Sequence, residues 1–130
     1  MTENDIGTSI VEIAIQIHRD LGPGLLESVY EIALSHQLQK RGFIVERQAP
    51  VAFEYQGHRF DEGFRADLII ERKVIVELKC VEKLNNAHKK QLLTYLRLTG
   101  IRLGYLLNFS EALMKQGITR TVNRLAQENT

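Results

Sequence analysis

The sequence has little of several features that would place it in a special class of protein. It contains one cysteine, Cys80, so neither an internal disulfide nor a cysteine-based zinc site can form within one chain. No segment approaches the roughly 20 uninterrupted apolar residues that a membrane helix needs. Tryptophan is absent, and no internal repeat, low-complexity tract or linker interrupts the chain. The remaining composition, 44% apolar and 25% charged over 130 residues, predicts a single globular domain spanning residues 1–130.

The N-terminal residues and the lone cysteine carry two smaller expectations. Residues 1–5 are polar and acidic, and Glu12, Gln16 and His18 interrupt the apolar residues that follow, which does not fit a secretory signal. We therefore expect a cytoplasmic protein with no membrane partner. Cys80 has no evident partner base in the sequence, so a small buried residue is expected there rather than a nucleophile.

The net charge of +1 conceals an asymmetry along the chain. Residues 1–85 carry 10 Lys and Arg against 14 Asp and Glu, whereas residues 86–130 carry 7 against 2. The basic C-terminal third is compatible with a phosphate-facing surface, but a solvated helix face explains several of these charges equally well.

Two amphipathic helices are predicted at the start of the chain. Apolar residues recur at helical spacing from residue 6 to residue 21, and the sequence Gly22-Pro23-Gly24 ends this helix. The same spacing returns from residue 26 to residue 38, before Arg41 and Gly42 supply a basic last turn and a C-cap. The apolar residues of this second helix are Leu26, Val29, Tyr30, Ala33, Leu34 and Leu38.

From residue 43 the apolar pattern changes to a period of two. Val51, Phe53 and Tyr55 alternate with less apolar residues before Gly57, which predicts a hairpin. Residues 64–70 and 74–80 are rich in apolar and β-branched residues and flank the charged turn at 71–73, so we expect them to pair antiparallel at the centre of a sheet.

The C-terminal half predicts a helix followed by further strands. A helix is expected from about residue 85 to Gly100, and residues 102–109 then form a buried strand. Because a helix connects them, this strand should lie parallel to the strand at 74–80. A short helix at 110–115, an edge strand at 118–125 and a frayed end at 127–130 complete the prediction. The four histidines, at positions 18, 36, 58 and 88, are expected at the surface.

Charged residues inside the central strands point to a polar site. Glu77 and Lys79 stand two apart within an otherwise apolar strand and therefore share a face, and Asp67 repeats the anomaly in the neighbouring strand. Buried charges are tolerated with a partner, a metal ion or a polar cleft. A simple Glu–Lys pair at a sheet edge explains any one of them, but the three together favour a functional cluster.

Two carboxylates held close together favour a divalent cation between them. They repel each other unless one is protonated or a cation intervenes. Mg²⁺ prefers a few carboxylates together with water and phosphate oxygens. We therefore expect Mg²⁺, or Mn²⁺ in its place, as the cofactor.

The arrangement Asp67 … Glu77-Leu78-Lys79 resembles the D…(D/E)xK signature of the PD-(D/E)XK nuclease superfamily. Residues 24–30, GLLESVY, also match the motif that names the GxxExxY protein family, which resembles that superfamily. The resemblance extends over about residues 10–125 and departs from the pattern in having no proline before Asp67. It implies an α/β fold of the restriction-endonuclease-like type, a mixed central sheet flanked by helices with an α-β-β-β-α-β core.

The resemblance also implies roles for individual residues. Asp67 and Glu77, with the Leu78 carbonyl, would hold the metal ion, and Lys79 would orient the attacking water or stabilise charge on the phosphate. Glu27 resembles the helical acid that completes the metal site, although a carboxylate near a helix N-terminus is favourable on its own. Gln91 and Tyr95 resemble a helical motif facing the same cleft, and Tyr95 is equally compatible with ordinary core packing.

Two further expectations concern residues near these. Tyr30 stands on the same side of its helix as Glu27, so its hydroxyl would hold that carboxylate in position, or simply pack. His88, with Lys89 and Lys90, opens the helix that carries Gln91 and would approach phosphate, and Tyr95 on the same helix is also expected to bind nucleic acid.

The implied activity is metal-dependent hydrolysis of phosphodiester bonds in nucleic acid, with DNA the expected substrate. A non-catalytic module of the same fold, binding nucleic acid or a partner protein, is the alternative that the sequence leaves open. A homodimer is compatible with either reading.

Overall fold

The computed structural model describes residues 1–124 and has a mixed α/β architecture. Its helices are α1 (Glu3–Leu21), α2 (Glu27–Lys40), α3 (Asn86–Thr99) and a short 3₁₀ helix (Met114–Gly117). Its strands are β1 (Val45–Tyr55), β2 (His58–Ile70), β3 (Val74–Lys79), β4 (Leu103–Asn108) and β5 (Ile118–Val122). The order α2-β1-β2-β3-α3-β4 is the predicted core, preceded by one further helix and followed by one further strand.

The five strands form one sheet in the order β1-β2-β3-β4-β5, which places β3 at its centre. Strand β3 pairs antiparallel with β2 through Leu68 to Ile70, and parallel with β4 along its whole length. Both pairings confirm the sequence predictions. Strand β5 pairs antiparallel with β4 at the edge of the sheet. This mixed sheet flanked by helices is consistent with a restriction-endonuclease-like fold.

The two faces of the sheet are covered by different helices. One core packs α1 and α2 against β2, β3 and β4, and includes Val74, Val76 and Leu78 from the central strand. The other core packs α3 against the opposite face, through Leu92 and Leu96 on the helix and Ile75 of β3. Because residues of a strand alternate between faces, Glu77 and Lys79 fall on the side of α3.

Helix ends follow from local hydrogen bonds. Thr2 and Asp5 form a capping box at the start of α1, and Asn85 and His88 form another at the start of α3. Gly100 ends α3 in the left-handed conformation, with a φ of 75° that glycine adopts without strain. Within residues 1–124, no helix is both long enough and apolar enough to cross a bilayer.

Some local predictions were wrong. His18 is buried rather than exposed, and its Nε2 lies 2.7 Å from the carbonyl oxygen of Glu111. Cys80 is half-buried rather than buried. The short helix predicted at 110–115 is a series of turns leading into the 3₁₀ helix, and the last strand ends at Val122. The fraying predicted for residues 127–130 lies outside the described residues.

Candidate active site

Strands β2 and β3 separate at Asp67 and Glu77. Their regular pairing ends with Leu68 opposite Val76, so Asp67 and Glu77 would form the next pair. Instead, the Asp67 N–H donates to Glu77 Oε2 at 2.8 Å, and the Leu78 N–H donates to Asp67 Oδ2 at 2.9 Å. Side-chain carboxylates have replaced backbone carbonyls as acceptors, so the strands diverge here. We call this opening, formed by Asp67, Glu77 and Leu78, the fork.

The fork holds two carboxylates side by side in a poorly solvated place. Glu77 is only 5% exposed, whereas Asp67 is half-buried. Burial, and then the negative charge of Asp67, raise the pKa of Glu77 to about 8, and the positive charge of Lys79 opposes the shift. Near neutral pH the pair of carboxylates therefore retains a proton or is stabilised by a bound cation.

A third carboxylate, Glu31 of α2, lies close to the fork and is also buried, at 7% exposed. It adds to the charge that raises the pKa of Glu77. Its two oxygens accept hydrogen bonds from Gln48 Nε2 at 2.9 Å and from Arg47 Nε at 3.2 Å. The Gln48 amide also reaches Asp67 Oδ1, at 3.3 Å. One polar network therefore joins α2, β1 and the fork.

The backbone of Gln48 makes this network possible. Successive side chains of a regular strand point to opposite faces, yet Arg47 and Gln48 both contact Glu31. Gln48 has a φ of 49°, a left-handed conformation that breaks the alternation within β1. Such strain in a residue other than glycine concentrates at functional sites. Gln48 stands opposite Asp67, between the pairs Arg47–Leu68 and Ala49–Ala66.

Sequence reasoning missed Glu31 and Gln48. The predicted apolar face of α2 included Leu26 and Val29, and both are exposed, at 74% and 38%. The buried face runs instead through Tyr30, Glu31 and Leu34. The available signal for Glu31 in the sequence was its charge at a position adjacent to these apolar residues. Gln48 gave no signal, because its conformation depends on the tertiary network.

Lys79 lies beside the fork. It is half-buried, two residues beyond Glu77, and close enough for its charge to act on the Glu77 carboxylate. It forms no ion pair with any residue in the range 1–124. Its ammonium group is therefore available to a ligand of the fork.

Tyr95 of α3 lies near the fork, on the face of the sheet that α3 covers. Its ring stacks on Phe64 of β2, with centroids 3.7 Å apart. Burial, then the charges of Glu77 and Asp67, raise the pKa of the Tyr95 hydroxyl. Tyr95 is thus both a packing residue and a neighbour of the carboxylates, so the two predicted readings are compatible. Gln91, one turn earlier on the same helix, is exposed.

Glu27 lies at the end of β3, where the structure does not link it to the Asp67–Glu77 pair by a hydrogen bond. It is exposed, and its Oε2 accepts the Cys80 N–H at 3.2 Å. Of the two readings of Tyr30, the structure shows packing, because its ring is buried and stacks on Phe109 and its hydroxyl does not bond Glu27. The Tyr30 hydroxyl donates to the Gly22 carbonyl at 2.6 Å and accepts the Leu25 N–H at 3.1 Å, so it fixes the turn before α2.

Three of the four residues predicted to bind nucleic acid open α3, and the fourth is Tyr95 farther along the same helix. Lys89 and Lys90 are exposed. His88 is half-buried, and its Nδ1 accepts the Asn85 N–H at 3.2 Å in the capping box. Leu78, whose carbonyl is predicted as a metal ligand, donates its N–H to Asp67 within the fork and pairs with Leu107 of β4.

The donors at the fork suit a hard divalent ion only in part. Asp67 and Glu77 each use one oxygen for a backbone N–H across the fork, so Glu77 Oε1 and the weakly bonded Asp67 Oδ1 remain. Burial, and then the negative charge of Asp67, raise the pKa of Glu77, and the positive charge of a bound cation would oppose that shift. However, no group of three or more His, Cys, Asp or Glu residues in the range 1–124 is arranged to hold a metal ion. Two carboxylates plus water and phosphate oxygens suit Mg²⁺ in this arrangement.

Comparison with known proteins agrees with this geometry. The family model described as the PD-(D/E)XK nuclease superfamily matches residues 4–121, which include both helices before the sheet and all five strands up to Thr121. No curated protein and no solved structure gave a significant match. With nearly the whole chain matched, this protein belongs to the PD-(D/E)XK nuclease superfamily.

Proposed function

We propose that this protein hydrolyses phosphodiester bonds of DNA at the fork, with Mg²⁺ or Mn²⁺ as cofactor. The observation that supports this most is the pair of carboxylates held side by side where β2 and β3 diverge, each fixed by a backbone N–H of the other strand. Lys79 beside the pair adds the positive charge that phosphate chemistry requires. Membership of a nuclease superfamily supports the same reaction class.

In this proposal the residues of the fork bind and orient the reactants. Glu77 Oε1, Asp67 Oδ1 and the Leu78 carbonyl would hold the ion, with Glu27 as a further ligand. When bound, the ion supplies charge neutralisation at the phosphate and lowers the pKa of a coordinated water. Lys79 orients the attacking water or stabilises charge on the phosphate. Glu31 positions the pair through Gln48, whose amide contacts both Glu31 and Asp67.

The start of α3 would meet the nucleic-acid backbone. Lys89 and Lys90 are exposed cations that suit phosphate contact, and His88 and Gln91 lie beside them. Tyr95 offers a hydroxyl close to the carboxylates, and its ring is held by Phe64. These residues and the fork belong to the same side of the sheet, because α3 covers that side.

A specific observation favours one alternative, a module that binds nucleic acid without cutting it. The range 1–124 offers no ready set of three ligands for a metal ion. A protein whose site never binds a metal ion would keep the same fold but would not hydrolyse phosphodiester bonds. The pairing of Asp67 with the buried Glu77 weighs against this alternative, because a binding module gains nothing from holding two carboxylates in a poorly solvated place.

A nuclease assay on a panel of substrates tests the proposal. Purified protein is incubated with single-stranded, duplex and branched DNA, and with RNA, in Mg²⁺, in Mn²⁺ and in EDTA. We expect strand cleavage of at least one DNA substrate with either metal ion and none in EDTA. Absence of cleavage on every substrate with both ions would favour the binding module, and cleavage that persists in EDTA would contradict a metal-dependent reaction.

A further inference from the structure

Three arginines converge on one concavity at the opposite end of β3 and β4 from Lys79. The concavity has a volume of about 530 Å³ and is lined by Arg97, Gly100, Arg102, Asn123 and Arg124. Arg97 comes from the last turn of α3, Arg102 precedes β4, and Arg124 follows β5. We call this concavity the arginine pocket. Residues distant in sequence thus build one positively charged site.

The charge of the arginine pocket is not cancelled by carboxylates. No Asp or Glu lines it, and none of its three arginines forms an ion pair within residues 1–124. Of the seven other arginines, five each contact an Asp or Glu, namely Arg41, Arg47, Arg59, Arg65 and Arg72, whereas Arg19 and Arg120 form no ion pair within residues 1–124. The end of α3 at Gly100 contributes only about half a negative charge. The pocket therefore attracts anions.

The arginine side chains suit phosphate as a ligand. Guanidinium groups are planar, always charged and bind phosphate oxygens through paired N–H donors. Three of them around one concavity suit the phosphates of a phosphodiester backbone. The concavity is polar and exposed, so it does not suit an apolar ligand.

The distance from the fork fits a substrate that spans both sites. Glu77 pairs with Leu106, and Arg102 lies four residues before Leu106 on the same chain. At roughly 3.3 Å per residue, the two sites are about 13 Å apart along the sheet, close to four base-pair steps of duplex DNA. Helix α3 carries Tyr95 near the fork and Arg97 in the pocket.

We propose that the arginine pocket is a second phosphate-binding site, which holds the nucleic-acid backbone about four base pairs from the bond at the fork. The identity of the ligand as DNA rests on the proposed function. The presence of an anion site rests on the three arginines alone.

Binding without cleavage tests this site. Fluorescence anisotropy is measured in EDTA with an end-labelled DNA duplex of about 24 base pairs over a range of salt concentrations. The variant with Arg97→Gln, Arg102→Gln and Arg124→Gln should bind about tenfold more weakly, and its plot of log affinity against log salt should be shallower by about one to two units. The corresponding triple lysine variant should keep most of the salt dependence, because it keeps the charges.

Arg19→Gln is the matched control, because Arg19 is exposed and forms no ion pair within the described residues. It should change affinity less than about twofold. Equal affinity and salt dependence in wild type and the triple glutamine variant would overturn the second site, as would an equal loss in Arg19→Gln. If wild type binds through the pocket yet cuts no DNA, the proposed function has failed and the anion site stands.

Discussion

Replacing Glu77 by Gln should lower kcat/KM for DNA cleavage on the order of a thousandfold or more. The substitution keeps the shape of the side chain and an oxygen to accept the Asp67 N–H, but removes one of the two charges that would hold the ion. Lys79→Ala should cost about a hundredfold or more, because the ammonium group stabilises charge on the phosphate rather than holding the ion. Initial rates on the best substrate of the panel, at saturating Mg²⁺, measure both losses.

Matched controls separate these effects from loss of folding. Glu82→Gln and Lys40→Ala make the same chemical changes at exposed positions, and should keep activity within about twofold of wild type. Thermal unfolding followed by circular dichroism checks that every variant is folded. Full activity in Glu77→Gln or Lys79→Ala would mean that the cutting occurs somewhere other than the fork.

The same Glu77→Gln protein should be more stable than wild type at alkaline pH. The pKa of Glu77 is 4.5 in a solvated reference and about 8 in the folded protein. Between these values the folded state retains a proton that the unfolded state has lost, so wild-type stability falls as pH rises towards 8 and the contribution is lost above it. At about 1.4 kcal/mol per pKa unit, the full effect is roughly 4–5 kcal/mol at most. Gln has no titratable proton, so the stability of the variant lacks this dependence on pH.

Urea unfolding in EDTA, at about pH 4.5, 7 and 9, measures this difference. The free energies of unfolding of wild type and Glu77→Gln should be similar at the lowest pH and diverge steadily, with the variant more stable by a few kcal/mol at the highest. Glu82→Gln, which changes an exposed carboxylate, should follow wild type at every pH. A difference that does not depend on pH would contradict the raised pKa of Glu77.

The order and pairing of the central elements could be predicted from the sequence because local patterns determine them. Continuous apolar runs at 64–70 and 74–80 with a short charged turn leave little alternative to an antiparallel pair, and the helix before residues 102–109 indicates the parallel return. Asp67, Glu77 and Lys79 were conspicuous for the same reason, since charges inside such runs conflict with burial.

What the sequence could not supply are features that depend on contacts between distant residues. His18 is buried because its ring meets the Glu111 carbonyl, 93 positions away in the chain. Glu31 joins the site because β1 brings Arg47 and Gln48 to it, and no local pattern encodes the left-handed conformation of Gln48. Glu27, by contrast, was prominent as part of a motif, and its contact with the Cys80 N–H leaves its role as a metal ligand a prediction.

Isothermal titration of Mn²⁺ and Mg²⁺ tests most directly whether the fork holds a divalent ion. At about pH 7, wild type and Glu82→Gln should bind with equal affinity and release up to about one proton per ion, since the ion displaces the proton that Glu77 retains. Asp67→Asn and Glu77→Gln should each bind at least about tenfold more weakly. No saturable binding to wild type, or unchanged affinity in both fork variants, would contradict the account.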